Sequence, residues 1–342
     1  MGGDNAPEMV VEGANLARTR FPELTFLLFG DERRLSPLLE PLPRVKEACR
    51  IHHTDAVVNS DARPSQAFRQ GRNSSMRLAI DAVRDDRAAA VVSAGNTGAL
   101  MAMSTLVLKT APGIDRPAMA SFFPTMRGES VMLDLGANVD CDAENLVQFA
   151  VMGEVFARTV LGLTQPTVGL LNVGSEDQKG HEEVRAAAAV LRDLKLPMVF
   201  QGFVEGDDIG AGTVDVFVTD GFTGNIAVKT AEGTARLYTH FLRQAFTSSP
   251  LSRLGYLLAR GALEGLRVRV DPRRYNGAIL IGLNGITVKS HGGTDALGFA
   301  NAIGVAVEMI QHGFVETTRA ELARLNMVDS APAGDHPRAA AS

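Results

Sequence analysis

The chain has 342 residues, 45% hydrophobic and 21% charged, enough to bury one large α/β domain or two closely joined ones. Its net charge of −5 excludes the overall basic footprint of a nucleic-acid binder. Only two cysteines occur, Cys49 and Cys141, with neither a disulfide framework nor metal-type spacing, which suits a reducing cytoplasm; no basic leader and no run of 18 apolar residues points to secretion or membrane spanning.

Met1-Gly2-Gly3-Asp4-Asn5-Ala6-Pro7 is a glycine-rich loop ahead of a helix predicted over Glu8–Arg18, with Pro7 at a first-turn position. Such loops usually follow a strand, and none precedes this one, so either the true start lies upstream or the fold manages without that strand. Leu24–Phe29 reads as a strand, Arg33–Leu39 as a short helix, and Ile51–Thr54 as a marginal strand. The His52-His53 pair sits in that strand, where neighbouring rings point to opposite faces, and this speaks against a metal site. Asn73-Ser74-Ser75 caps a helix over Met76–Val83.

A theme then recurs: a β-branched strand, a glycine loop, a helix. Ala88–Ser93 runs into Gly95-Asn96-Thr97-Gly98 and a helix from Ala99 to Leu108. Ser130–Leu135 runs into Gly136-Ala137-Asn138 and a helix over Ala143–Ala157; of the nearby carboxylates, Asp142 reads as a helix cap and Asp134 as a site candidate. Val168–Val173 leads through Gly174 to a helix over His181–Leu194, and His181-Glu182-Glu183 is no zinc motif because no second histidine follows at helical spacing. Met198–Phe200 is a further strand. The fullest copy is Val214–Thr219 followed by Asp220-Gly221-Phe222-Thr223-Gly224-Asn225, where a glycine loop opening a helix aims free N–H groups at one spot, a setting that attracts anions. Neither nucleotide-binding glycine fingerprint fits it. This alternation predicts a three-layer αβα fold around a mostly parallel sheet, with all the glycine loops beyond the carboxyl ends of the strands, where ligands sit.

The segment Thr230–Gly265 differs. Leu237, Phe241, Leu242 and Phe246 have helical spacing, Ser248-Ser249-Pro250 breaks the helix, and Leu251, Leu254, Leu257, Leu258 and Leu266 form a second apolar stripe. Between Pro250 and Leu280 six arginines (Arg253, Arg260, Arg267, Arg269, Arg273, Arg274) face two acids (Glu264, Asp271). From the residues alone, this is either a surface for an anionic partner or a helix hairpin that packs in a dimer. Finally, Gly282-Leu283-Asn284-Gly285 precedes Lys289-Ser290-His291-Gly292-Gly293 and a helix over Ala296–Gln311. Lys289, Ser290 and His291 stand at a strand-to-glycine-to-helix junction, which places them with the other loops. The tail from Asp329 is Ala/Pro/Gly-rich and is expected to be disordered.

The set Met1-Gly2-Gly3-Asp4-Asn5-Ala6-Pro7, Ser93–Ala99, Asp134–Asn138, Leu171–Gly174, Asp220–Asn225, Gly282–Gly285 and Val288–Gly292, in this order across residues 1 to about 310, resembles the bacterial acyl-acyl-carrier-protein:phosphate acyltransferase (PlsX) family of phospholipid synthesis. Members of that family usually carry a strand before the first loop, where this chain begins at the loop, and a more acidic run where Ser175–Gly180 stands here. The resemblance implies a fold similar to isocitrate and isopropylmalate dehydrogenases and to phosphotransacetylases, in one domain over 1–328, with a protruding hairpin over 238–266 and a tail over 329–342.

It implies attack of inorganic phosphate on the thioester of a long-chain acyl-acyl-carrier protein, giving acyl phosphate in a cytoplasmic homodimer with no cofactor and no metal. It also implies peripheral attachment to the inner face of the cell membrane, with Arg253, Leu254, Leu257, Leu258, Arg260 and Arg267 contacting membrane or carrier protein, and a downstream glycerol-3-phosphate acyltransferase as a partner. Phosphate is already a nucleophile, so no activated Ser or Cys is required; the reaction needs an oriented dianion and a stabilised oxyanion. Lys289, His291, Asn225 and Asp220 are the expected catalytic groups. Asp4, Asn96, Thr97, Gly98, Asp134, Asn138, Gly221, Thr223, Gly224 and Ser290 are expected to bind phosphate and substrate. The rival expectations are a short-chain acyl-CoA phosphate transacylase, a dehydrogenase on the same fold, and a membrane-docked scaffold for carrier protein without catalysis.

Overall fold

A computed structural model describes residues 1–269, 271 and 273–329; the side chains of 266–269 and 324–329, and so that of Arg267, fall outside this description, as do residues 330–342 of the expected tail. Ten strands form among the described residues: β1 (Phe26–Gly30), β2 (Cys49–His53), β3 (Ala90–Ser93), β4 (Ala118–Thr125), β5 (Gly128–Leu133), β6 (Thr167–Leu171), β7 (Val199–Val204), β8 (Val216–Val218), β9 (Ala278–Ile281) and β10 (Ile286–Lys289). β1 and β2 make a small parallel sheet, and the other eight make a sheet of order β3-β10-β9-β4-β5-β8-β6-β7. Among these strands five of the eight pairings are parallel, which makes the architecture the expected mostly parallel one.

Residue alternation builds the layers. Val131 and Leu133 of β5, Val216 and Val218 of β8, and Ile279 and Ile281 of β9 pack on one face with the helices Ala143–Val160 and Ala296–Gln311. Met132, Phe217 and Leu280 point the other way, onto the helices Ser75–Arg84 and Thr97–Leu108. A strand buried on both faces has to be apolar throughout, as β8 is. A third cluster joins the first helix, Glu8–Arg20, to β1 and to Phe299, Ala300 and Ile303 of the helix Ala296–Gln311.

Strands β4 and β9 are not foreseen by the strand–helix alternation, and they decide the geometry. β4 folds back on β5 through the tight turn Met126-Arg127, and β9 runs antiparallel to both β4 and β10. Every step from β5 through β4 and β9 to β10 is therefore a reversal, so β3 and β10 run opposite to β5, β8, β6 and β7. The chain leaves β3 and β10 in one direction, and β5, β6, β7 and β8 in the other. The glycine loops do not share one end of the sheet, contrary to the sequence expectation.

Candidate functional site

At the β3–β10 end, three loops meet. β3 passes through Ala94-Gly95 to Asn96, whose Oδ1 accepts the N–H of Ala99 (2.9 Å) and caps the helix Thr97–Leu108. The helix thus starts two residues before the expected Ala99, and Thr97 and Gly98 stand in its first turn with their N–H groups outside the helical ladder. β10 ends at Lys289, and the chain continues through Ser290-His291-Gly292-Gly293. The first loop of the chain is tied to it, since Asp4 N–H donates to the Gly292 carbonyl (2.9 Å) and Asn5 Nδ2 to that of Thr294 (3.1 Å). Gly2 lies so close to Gly95 that a Cβ on it would stand 2.7 Å from the Gly95 Cα, so the contact between the loops needs glycine.

These loops enclose a cavity of about 640 Å³ lined by Asp4, Asn96, Thr97, Gly98, Lys289 and His291, with Val57–Ser60 as a further wall. Burial pushes the Lys289 ammonium down to about 8, while the Asp4 carboxylate pulls the other way. Nζ of Lys289 donates to the carbonyl of its neighbour Ser290. The N–H of Gly293 donates to Nδ1 of exposed His291 (3.2 Å), so in the neutral ring the proton sits on Nε2. The cavity therefore offers a half-buried cation, two N–H groups at a helix start and an imidazole N–H. Such a set suits a phosphate-sized anion and an oxygen that gains negative charge.

The other expected site residues lie elsewhere. Ser290 is fully buried, its hydroxyl accepting from Asn276 Nδ2 (2.8 Å), and it does not reach the cavity. Asn96 lines the cavity but spends its amide on structure, with Nδ2 donating to the carbonyls of Asn59, Ser60 and Ala62 (3.2, 2.8 and 3.0 Å) and so holding the Val57–Ser60 wall.

Asp134, Asn138, Asp220, Gly221, Thr223, Gly224 and Asn225 gather beyond β5 and β8, and none of them lines the cavity that holds Lys289 and His291. The antiparallel insertion of β4 and β9 is the reason, because it turns the two sets of strand ends away from each other. Here Asp134 is 0% exposed and accepts four hydrogen bonds, from the N–H groups of Met119, Ala137 and Asn138 and from Asn138 Nδ2. The Gly221 N–H donates to the Asn138 carbonyl (2.7 Å), and Asn225 Nδ2 to that of Leu135 (3.2 Å). Asp220 caps the helix Gly221–Thr247 through Thr223, and a Cβ at Gly224 would meet the Asp134 carbonyl oxygen at 2.0 Å. Nearby Cys141 has its thiol pushed up to about 12 by burial and by Asp134, which removes it as a nucleophile.

His52 stacks on Phe29, while His53 faces the carboxylates of Asp31 and Asp55 (4.0 and 3.6 Å). Arg33 already meets both acids at 3.3 Å. Sequence reasoning misses the Val57–Ser60 wall, which carries no motif. It also gives no role to Asn276, although that residue stands in the last motif-bearing stretch.

The hairpin region forms the helices Gly221–Thr247 and Pro250–Arg269, with exposed Tyr238, Leu251, Leu254, Leu257 and Leu258, the last 81% exposed, beside exposed Arg253 and Arg260. Among the described residues no helix is long and apolar enough to cross a membrane.

Known proteins share both the sequence and the fold. The family described as Fatty acid synthesis protein matches residues 1–317. A phosphate acyltransferase of Rhodospirillum centenum is 67% identical over 325 residues, covering 95% of this chain and 92% of its own length. One of Rhodospirillum rubrum is 60% identical over 336 residues, covering 98% and 96%. In fold, the chain is similar to a phosphotransacetylase from Streptococcus pyogenes (TM-score 0.61, 19% identity, covering 90% of this chain and 92% of that one). It is also similar to a branched-chain phosphotransacylase from Enterococcus faecalis (TM-score 0.56, 13% identity, covering 91% and 97%). The match across nearly the whole length shows that the chain belongs to the fatty acid synthesis protein family and is an acyltransferase.

Proposed function

We propose that this enzyme transfers a long-chain acyl group from the thioester of acyl-carrier protein to inorganic phosphate, in the synthesis of phospholipid precursors, and that the β3–β10 cavity is where it does so. The observation that carries this reading is the pairing in one cavity of a half-buried lysine with the open start of a helix, with no activated nucleophile beside them among the described residues. Phosphate, held by Lys289 and the N–H groups of Thr97 and Gly98, attacks the thioester carbonyl carbon. A C–O bond forms and the C–S bond breaks, giving acyl phosphate, and the thiolate leaves and takes up a proton. His291 Nε2–H donates to the carbonyl oxygen as it becomes an oxyanion. Asp4 faces Lys289 and favours its charged form. Asn96 shapes the wall that the substrate passes.

The hairpin, with its leucines beside arginines, docks on an anionic membrane surface in this reading, where a homodimeric enzyme delivers its product to the next acyltransferase. The test is incubation of palmitoyl-acyl-carrier protein with and without inorganic phosphate, with the acyl phosphate trapped by hydroxylamine. Phosphate-dependent hydroxamate is expected, reduced on the order of 100-fold in Lys289→Ala at limiting phosphate. Preference for short acyl-CoA, or carrier binding without any phosphate-dependent cleavage, overturns the reading.

A further inference from the structure

The cavity's two functional side chains, Lys289 and His291, stand on a stretch where sheet pairing runs out. The Ser290 N–H still donates to the Ser93 carbonyl (2.9 Å), as a last rung between β10 and β3. One residue later the His291 N–H is taken by a side chain in place of a strand, Oδ1 of Asn276, at 2.8 Å. The same amide turns its Nδ2 to Ser290 Oγ (2.8 Å) and to the Gly298 carbonyl (2.7 Å) in the first turn of the helix Ala296–Gln311. Its orientation is forced, because only the carbonyl side can face an N–H and only the amino side can face a carbonyl. Asn276 is 7% exposed and does not line the cavity. It joins the loop after β10, the entry to β9 and the following helix at a single side chain, beside the Arg273–Asp295 ion pair (2.9 Å) that also ties the entry to β9 to that helix.

We propose that Asn276 is a positioning residue for the anion-binding loop. It fixes the backbone at His291 directly and holds Ser290, on whose carbonyl the Lys289 ammonium rests. This rests on the functional reading above. The chemistry asks for an amide here: an apolar residue leaves the His291 N–H without its partner, and the loop then moves to find one.

The experiment compares wild type, Asn276→Ala and Asn276→Asp, all assayed below their thermal transitions. Asn276→Ala is expected to lower kcat/KM for phosphate on the order of tenfold, chiefly through KM. It is also expected to move the alkaline limb of phosphate affinity upward in pH, because a loosened loop lets water reach Lys289. Asn276→Asp keeps an oxygen acceptor for His291 and accepts the Ser290 hydroxyl, but it sets an oxygen against the Gly298 carbonyl, so it is expected to recover only part of the loss. A folded Asn276→Ala protein with the wild-type KM and pH profile overturns the proposal, however far its Tm falls. Absence of phosphate-dependent transfer in wild type overturns the functional reading instead. Calorimetry with inorganic phosphate alone then decides the positioning role, and equal dissociation constants for wild type and Asn276→Ala sink it.

Discussion

Lys289 carries its charge in a place that resists it. Burial brings the ammonium down to about 8 from the ordinary lysine value, so the charge proposed to hold phosphate disappears as pH rises through that value. The KM for phosphate is expected to rise about tenfold per pH unit above about 8, and initial rates from roughly pH 6.5 to 9.5 check it. The same burial has a stability consequence of definite sign. Between about pH 8 and the unfolded lysine value, the unfolded chain binds a proton that the native state has released, so stability rises with pH across that window and the penalty is full below it. Lys289→Met is therefore expected to be more stable than wild type at neutral pH by on the order of 2 kcal/mol, with the gap closing towards about pH 10 in urea titrations, while phosphate-dependent turnover is lost.

Asp134 is buried too: burial pushes its carboxyl up, and the hydrogen bonds it accepts from Met119, Ala137 and Asn138 pull it back down. An asparagine there turns an NH2 group towards two N–H donors whichever way it faces, and about 3 kcal/mol of stability should go with it, read as a lowered urea midpoint. From sequence the two residues look alike, each a charged group at a strand end beside glycine. What separates them is the number of backbone donors aimed at the side chain, which no local pattern records.

The elements themselves are largely legible where a local rule governs them. Ser74, Asp142 and Asp295 cap their helices through backbone N–H bonds, as their residue types favour, and the caps near Ser74 and at Asp142 are the expected ones. The strand–loop–helix units fall near their expected bounds because β-branched runs and glycine turns encode them locally. The hairpin Ala118–Leu133 escapes, because a search for βαβ alternation passes over two strands joined by a two-residue turn. At this scale the exposed leucines of the helix Pro250–Arg269 make the membrane reading testable. Wild type is expected to float with vesicles containing anionic lipid, and Leu254→Glu with Leu258→Glu to remain in the soluble fraction. A double variant that floats equally well removes the stripe from the interaction.

For the whole molecule, the αβα architecture follows from alternation, but the division of the loops between two directions does not. Strand direction depends on how many reversals lie between two strands, and these come from pairings between distant parts of the chain. β10 reaches its neighbour β3 only in the finished fold, since β4 to β9 and six helices lie between them in sequence among the described residues. The first helix, Glu8–Arg20, packs against the helix Ala296–Gln311, and the cavity draws on residues 1–4, 57–60, 94–98, 289 and 291–293 together. The site is thus closed by a stretch that leaves the ribosome long after the first loop. At roughly 5–20 residues per second, the first helix waits on the order of tens of seconds for its partner. Through that interval the part of its apolar face that Phe299, Ala300 and Ile303 later cover stays open, the kind of exposed surface that chaperones bind before a fold closes.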